Sequence, residues 1–373
     1  MGLTIRETRY SDAESIHGLL KRHALVSAEL SADLWTALWR ENPAFQEGPA
    51  IPMGWILEDA GAVVGYLGNI PSRYHYRGEQ LLAAAARAFA VDVAFRSQSV
   101  KLLHAFCSQQ NVDLLLNTSA NTAAGTMFQL CKARRIPQAG YDTALFWVIE
   151  ARGFAASVLR KRGHGRAVSM IGGAVLSTGV RLDTMLRRRR PVGRAAALDI
   201  DVVDPASVDD EFDEFWRHTL AERPETLLAD RSAHALRWHF GHRGAGDRRA
   251  KLVRVRRSGR LVGYTALTIE DAADIGLRRT RIADLIAERD DPDLIDALLR
   301  GALRQAKANG SHILELVGFP ERIRSRMIAG HALARQLPAW PFWYKAMRTT
   351  LAAQLQHEDA WYGSSYDGDT SLY

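Results

Sequence analysis

The chain has 373 residues, 47% of them hydrophobic and 24% charged, with a formal net charge of +7. The length suits two domains, and the composition excludes a disordered or collagen-like chain. Two cysteines cannot form a disulfide framework, no apolar run could span a bilayer, and the first ten residues lack the apolar core of a signal peptide, so we expect a cytoplasmic protein.

The first 150 residues alternate between patterns typical of strands and of helices. Residues 3–9 alternate as a strand does, and residues 13–24 show helical spacing of their apolar side chains. The elements predicted after these are a helix over 31–42, a hairpin over 53–77, a strand over 81–95, a helix over 99–109, a strand over 112–119, a helix over 122–134 and a strand over 142–150.

The second half of the sequence repeats the first. Gly65 and Gly263 both stand in a Val-Gly-Tyr stretch that continues a hairpin, and Leu116 and Leu316 follow at nearly the same separation. A Phe-Trp pair ends each copy. Several matches in one order at one spacing indicate a duplicated domain.

The repeat predicts the same elements in the second half: a strand over 196–203, helices over 208–222 and 231–241, a hairpin over 251–270, a strand over 278–287, a helix over 292–309, a strand over 312–318, a helix over 320–330, a strand over 340–347 and a final helix near Thr350. Two basic amphipathic helices are predicted over 152–190. We therefore expect an α/β chain with domains over 1–150 and 195–373, joined by a basic helical linker or insertion over 151–194.

The stretch "VDVAFRSQSVKLL", residues 91–103, resembles the strand, Arg-led loop and helix of the GNAT acyltransferase superfamily. In that family the helix N-terminus binds the pyrophosphate of coenzyme A, because backbone N–H groups and the helix dipole favour negative charge there. The stretch "NTSANTAAGTMFQLCK", residues 117–132, resembles the family's N-x-x-A motif. The cofactor-binding residues implied by the resemblance are Val91, Val93, Arg96, Ser97, Gln98, Ser99, Val100, Lys101 and Asn121.

The resemblance implies two tandem GNAT-like domains, each a mixed twisted sheet flanked by helices, with acetyl-CoA or another acyl-CoA as co-substrate and no metal. The sequence departs from the family at Ser99 and Lys101, where small residues, usually glycine, are expected, and at Phe128, which replaces a thiolate-protonating tyrosine. An ordinary turn with Ser97 as helix cap, and Asn121 as a second cap, stays an alternative.

The corresponding loop of the second copy is acidic and would repel a pyrophosphate. The acidic residues of this loop are Glu288, Asp290, Asp291 and Asp293. We expect this copy to bind no coenzyme A and to shape the acceptor site or support the first copy.

The reaction implied is direct attack of an amine on a thioester, which needs a proton acceptor for the amine and hydrogen-bond donors for the carbonyl oxygen. The donors are expected near Ala90 to Val93. Candidate catalytic residues are Tyr76, Asn117 and Ser119, and His75 is a candidate better explained as a surface residue.

The polar, aromatic tail over 359–373 contains Asp367 and Asp369, which we predict to bind the acceptor's ammonium or hydroxyl groups. Two carboxylates make an incomplete metal site. The alternative for the whole tail is a frayed terminus, although frayed tails are poor in aromatic residues.

We therefore expect an acyl-CoA-dependent N-acyltransferase that moves an acyl group, with acetyl the first expectation, to an amine of a small molecule, amino acid or amino sugar. One alternative is an aminoacyl-tRNA-using transferase, because the paired domains also resemble the peptidoglycan aminoacyl transferases and the basic segment 151–194 would suit tRNA. Another is a non-catalytic GNAT-like binding module. The sequence contains no DNA-binding module, and contact of 152–190 with a membrane surface stays open.

Overall fold

A computed structural model describes residues 2–25, 32–46, 51–119, 122–164, 198–241, 250–337 and 342–372. The chain forms two compact units. The first unit comprises residues 1–138, 223–242 and 338–372, and the second comprises residues 139–222 and 243–337.

The strands of the described residues are β1 (Thr4–Glu7), β2 (Gly54–Asp59), β3 (Ala62–Tyr76), β4 (Glu79–Val91), β5 (Leu114–Asn117), β6 (Arg134–Arg135), β7 (Thr143–Val148), β8 (Leu198–Val203), β9 (Leu228–Ala229), β10 (Ala250–Arg257), β11 (Arg260–Ile269), β12 (Arg279–Ala287), β13 (Ile313–Leu316), β14 (Leu333–Gln336) and β15 (Trp343–Ala346).

The α-helices of the described residues are α1 (Ala13–Arg22), α2 (Ala32–Trp39), α3 (Pro43–Gln46), α4 (Ser99–Cys107), α5 (Thr122–Leu130), α6 (Ala151–Lys161), α7 (Asp210–Glu222), α8 (Ala233–Gly241), α9 (Pro292–Ala308), α10 (Glu321–Ala329) and α11 (Thr349–Gln354).

Each unit contains one mixed sheet, and the two sheets have the same topology. The first sheet has the order β1-β2-β3-β4-β5-β15-β6, with β9 added beside β3, and the second has the order β8-β10-β11-β12-β13-β7-β14. In both sheets a β-meander is followed by one parallel neighbour, β5 beside β4 and β13 beside β12. This one-to-one match confirms the predicted α/β class with two mixed sheets flanked by helices.

The last strand of each sequence repeat lies in the other repeat's sheet. Strand β7, from the first half of the chain, pairs with β13 and β14, and β15, from the second half, pairs with β5 and β6. The compact units therefore divide the chain differently from the linear ranges 1–150, 151–194 and 195–373. Strand pairing joins residues far apart in sequence, so the end of a sequence repeat does not fix the sheet in which its last strand lies.

The two faces of the first sheet are covered by different parts of the chain. One face packs against α4 and α5 through an apolar cluster that includes Leu57, Leu102, Phe106 and Phe128. Alternate residues of a strand point to opposite faces. The opposite face, which carries Tyr344 of β15, is covered in part by the tail, because Trp361 packs on that ring.

The tail is docked rather than frayed, since most residues over 360–372 are buried. Among the helices of the described ranges, none has both the length and the apolar character needed to cross a bilayer. Helix α6 accounts for the start of the predicted basic helices over 152–190, and residues 165–197 lie outside the described ranges. The cytoplasmic location stays a prediction.

Candidate active site

Strands β4 and β5 of the first unit pair over a short distance and then part. Their parallel register covers three pairs, from Ala83 with Leu114 to Ala85 with Leu116. Strand β4 continues to Val91 and keeps its pairing with β3 along that length. The paired stretch of β4 and β5 therefore ends at Ala85 and Leu116, and we call the place where β4 continues without β5 the opening between β4 and β5.

Strand β4 has an irregularity at the start of this opening. Its register with β3 shifts between the pairs Gly68–Arg87 and Tyr66–Ala90, so β4 has one residue more than β3 over this interval. Ala88 has a φ of 54°, which is rare for a residue with a side chain. Bulges of this kind bend a strand and occur often beside active sites.

The tail brings a buried carboxylate to the end of β5. Thr118 Oγ1 donates a hydrogen bond of 3.0 Å to Asp369 Oδ1, and Ser119 Oγ donates one of 2.9 Å to Asp369 Oδ2. Burial raises the pKa of the Asp369 carboxyl, although the Arg87 charge and the two hydroxyl hydrogen bonds oppose this rise. A buried carboxylate that binds protons more tightly than usual is suited to accept one.

The second tail carboxylate anchors the tail to β3. Tyr74 Oη donates a hydrogen bond of 2.7 Å to Asp367 Oδ1, and the backbone N–H of Ser364 donates one of 2.8 Å to Asp367 Oδ2. Between the two carboxylates Gly368 has a φ of 66°, and a Cβ there would lie 2.4 Å from Thr118 Oγ1. Glycine at this position lets the tail pass from β3 to the end of β5.

Two residues of the site were missed by sequence reasoning. Arg87 is only 5% exposed, and its positive charge opposes the rise in the pKa of both Tyr66 and Asp369. The Tyr66 hydroxyl has room because residue 68 is glycine, where a Cβ would lie 2.5 Å from Tyr66 Oη. The available signal was a single arginine inside the apolar run "LLAAAARAFAV" of β4.

Solved structures with a similar fold cover most of the chain. One is a GCN5-related N-acetyltransferase from Anabaena variabilis, with a TM-score of 0.57 and 12% identity, covering 93% of this chain and 73% of that one. Another is the Saccharomyces cerevisiae N-myristoyltransferase with bound myristoyl-CoA and inhibitors, with a TM-score of 0.55 and 11% identity, covering 92% and 81%. A conserved protein of unknown function from Enterococcus faecalis has a TM-score of 0.58 and 10% identity, covering 93% and 72%.

The chain has the GNAT fold. No protein-family model and no curated protein matches its sequence. The resemblance read from the sequence is thus confirmed at the level of the fold.

The structure brings together two of the three predicted catalytic residues. Asn117 and Ser119 lie together at the end of β5, where Asn117 Oδ1 accepts a 3.2 Å hydrogen bond from the Ser119 N–H. Tyr76 pairs with Glu79 at the hairpin between β3 and β4, about six residues, or about 20 Å, from Ala85. The structure does not place it with the others.

The predicted cofactor loop is a 3₁₀-helix over 93–98 that leads into α4. The side chains of Arg96, Ser97 and Lys101 are exposed there. Two apolar residues flank them, Val93 at 70% exposure and Val100 at 58%. Asn121 lies outside the described residues.

Hydrogen bonds within the predicted cofactor loop already use two of its backbone N–H groups. The N–H of Phe95 donates to Asp92 O, and that of Ser99 donates to Arg96 O. No side chain caps α4, so Ser97 does not have the capping role of the alternative interpretation. Anion binding here would depend largely on the side chains of Arg96 and Lys101.

The α5 position where Phe128 replaces a tyrosine belongs to the core. Phe128 is buried and packs edge-on against Phe106 with ring centroids 5.8 Å apart. It has no hydroxyl and packs on the face of α4 and α5, so α5 supplies no proton donor at this position.

The acidic loop of the second unit is neutralised by its own unit. Asp291 caps α9 by accepting a 2.9 Å hydrogen bond from the Asp293 N–H, and it pairs with Arg257 at 3.0 Å. Glu288 pairs with Arg260 at 2.7 Å. These carboxylates lie at the N-terminus of α9, where a pyrophosphate would otherwise interact with the helix dipole, so they disfavour anion binding there.

One cluster of donor atoms in the second unit could hold a cation. One donor atom each of His218, Glu222 and Glu288 lies within 4.8 Å of the others. Arg289 pairs with Glu222 at 3.0 Å and Arg260 pairs with Glu288 at 2.7 Å, so each carboxylate already has a cationic partner.

Proposed function

We propose that the chain is an acyl-CoA-dependent N-acyltransferase that works at the opening between β4 and β5 of the first unit. The observation that carries this proposal is the buried Asp369 carboxylate, held by Thr118 and Ser119 where β5 ends beside that opening. An amine nucleophile must lose a proton, and Asp369 is the acceptor that the site offers.

The reaction is direct transfer. The amine nitrogen attacks the thioester carbonyl carbon, the new C–N bond forms, the C–S bond breaks, and coenzyme A leaves as its thiolate. The proton released by the nitrogen passes to the Asp369 carboxylate, with the Ser119 hydroxyl positioned to relay it, since Ser119 is exposed and hydrogen-bonded to that carboxylate. No covalent enzyme intermediate is required.

The residues of the predicted cofactor loop suit an acyl-CoA. Arg96 and Lys101 supply positive charge for the phosphates. Val93 and Val100 leave apolar surface exposed beside these cations, which suits the nucleobase or the pantetheine arm. The acyl group is expected to be acetyl, the acceptor a small amine, amino acid or amino sugar, and the second unit to bind no coenzyme A.

Binding of acyl-CoA is expected to raise the melting temperature by several degrees. At a ligand concentration of a hundred times the Kd, binding adds about 2.7 kcal/mol to the free energy of unfolding. Differential scanning fluorimetry with acetyl-CoA, myristoyl-CoA and free coenzyme A would show which acyl length stabilises most.

The shift is expected to shrink in Arg96→Ala, because the loss of this side chain weakens phosphate binding. Arg289→Ala is the matched control, since Arg289 lies in the corresponding loop of the second unit. A full shift in Arg96→Ala, or no shift for any ligand at millimolar concentration, would contradict the predicted cofactor loop. Ligand binding without acyl transfer to any amine in a broad panel would favour the binding-module alternative.

A further inference from the structure

We propose that Arg87 is a catalytic residue whose guanidinium stabilises the negative charge that develops on the thioester carbonyl oxygen. The inference rests on the proposed function and adds to it a residue that neither the repeat nor the family motifs indicate.

The position of Arg87 along β4 places it where the opening begins. The last pair between β4 and β5 joins Ala85 to Leu116, and Arg87 is two residues beyond Ala85. Because side chains alternate along a strand, Arg87 shares a face with Ala85. Thr118 is likewise two residues beyond Leu116, and it holds the Asp369 carboxylate.

Arg87 and Asp369 therefore supply opposite charges to one site, the cation from β4 and the carboxylate at the end of β5. The positive charge of Arg87 opposes the rise that burial causes in the pKa of the Asp369 carboxyl. Both side chains are buried. Burial of two charges is costly and is retained in a protein where it serves a site or a specific pairing.

Acyl transfer needs a proton acceptor for the amine and a stabilising group for the thioester carbonyl oxygen. The carboxylate takes the proton from the amine, and a cation or N–H donor stabilises the carbonyl oxygen as it gains negative charge. Backbone donors were expected near Ala90 to Val93, where the Asp92 N–H already donates to Val64 O at 2.8 Å, and Arg87 would act beside the donors that remain. A guanidinium carries five N–H groups, and one of those of the buried Arg87 would bind the carbonyl oxygen.

The test measures kcat against pH for the wild type, Arg87→Met and Arg87→Lys with the acyl-CoA and amine that the wild type uses. Arg87 lowers the pKa of Asp369, so its loss moves the acidic limb of the profile to higher pH. At a pH above the acidic limbs of both the wild type and Arg87→Met, Asp369 is ionised in each protein. There we expect Arg87→Met to lower kcat by about 10²- to 10³-fold, and Arg87→Lys to recover part of this loss.

Two further measurements separate catalysis from structure. The Kd of a thioether analogue of acyl-CoA, which lacks the thioester carbonyl oxygen, is expected to change by less than about threefold in Arg87→Met, because the proposed interaction forms only in the transition state. Arg324→Met is the matched control, because Arg324 is a buried arginine of the second unit whose Nη1 donates to Thr143 O and Gly318 O of that unit. Its plateau kcat is expected to stay near that of the wild type.

Three results would overturn the inference alone: a plateau kcat in Arg87→Met close to that of the wild type, a thioether Kd that rises in parallel with the loss of kcat, or an equal loss in Arg324→Met. Absence of turnover by the wild type with every acyl-CoA and amine tested would overturn the proposed function and this inference together.

Discussion

Asp369→Asn is expected to lower kcat by about 10²- to 10⁴-fold, the usual contribution of a general base, while the Kd for acyl-CoA changes little. Asparagine has one side-chain oxygen, which can accept the hydrogen bond from Thr118, and its NH2 group can donate to the Ser119 hydroxyl, so the tail stays docked. It cannot accept the proton of the amine. Steady-state assays of acyl transfer would measure kcat, and isothermal titration calorimetry would measure the Kd for acyl-CoA.

The pH dependence gives this prediction a second readout. Burial raises the pKa of Asp369, so wild-type activity is expected to fall as the pH drops through that raised pKa, because the protonated carboxyl is no base. The folded state binds this proton more tightly than the unfolded state. The stability that the group contributes is therefore present at low pH and lost as the pH rises through the folded-state pKa.

Asp369→Asn removes this pH-dependent loss of stability, so its melting temperature at pH 8 is expected to equal or exceed that of the wild type. Asp367→Asn is the control: Asp367 anchors the tail to Tyr74, and its substitution is expected to change stability more than the plateau kcat. A kcat within about threefold of the wild type in Asp369→Asn would reject Asp369 as the base.

Trp361→Ala is expected to lower the free energy of unfolding by about 3–5 kcal/mol. Trp361 is 2% exposed, its ring lies 4.6 Å from that of Tyr344 and 5.7 Å from that of Phe342, and its Nε1 donates a 2.9 Å hydrogen bond to Leu355 O. Truncation removes this packing and leaves a cavity against β15. Urea denaturation followed by circular dichroism would measure the loss.

The matched control for this prediction is Leu25→Ala in the same unit. Leu25 is 51% exposed, so its truncation is expected to change the free energy of unfolding by less than about 0.5 kcal/mol. A loss below about 1 kcal/mol in Trp361→Ala would mean that the tail does not pack on the sheet. The site built on Asp369 would then lose its support.

The sequence by itself determined the order and type of most elements, but not the short strands β6, β9 and β14 or the short helix α3. The hairpins β2–β3 and β10–β11 follow from alternating apolar residues around Gly61 and Gly259, both with positive φ, and these signals lie within a few residues of one another. The Val-Gly-Tyr repeat identified the two copies. Local periodicity and turn residues report such elements because both depend on neighbours in the chain.

The sequence also located the polar end of β5 and the two tail carboxylates, because short polar stretches beside buried strands stand out. It did not determine which groups meet there. Thr118 and Asp369 are 251 residues apart, and their hydrogen bond exists only because the tail folds back on the first sheet.

Only the tertiary structure decided three features: the exchange of β7 and β15 between the sheets, the docking of the tail and the meeting of Thr118 with Asp369 at the end of β5. Each depends on a choice among distant partners of similar local pattern. The Phe-Trp strands resemble each other in sequence, and nothing local to Thr118 indicates that Asp369 is its partner. Which of these distant segments pair is determined by the packing of the whole chain, because apolar burial and charge neutralisation are complete only when all the elements are in place.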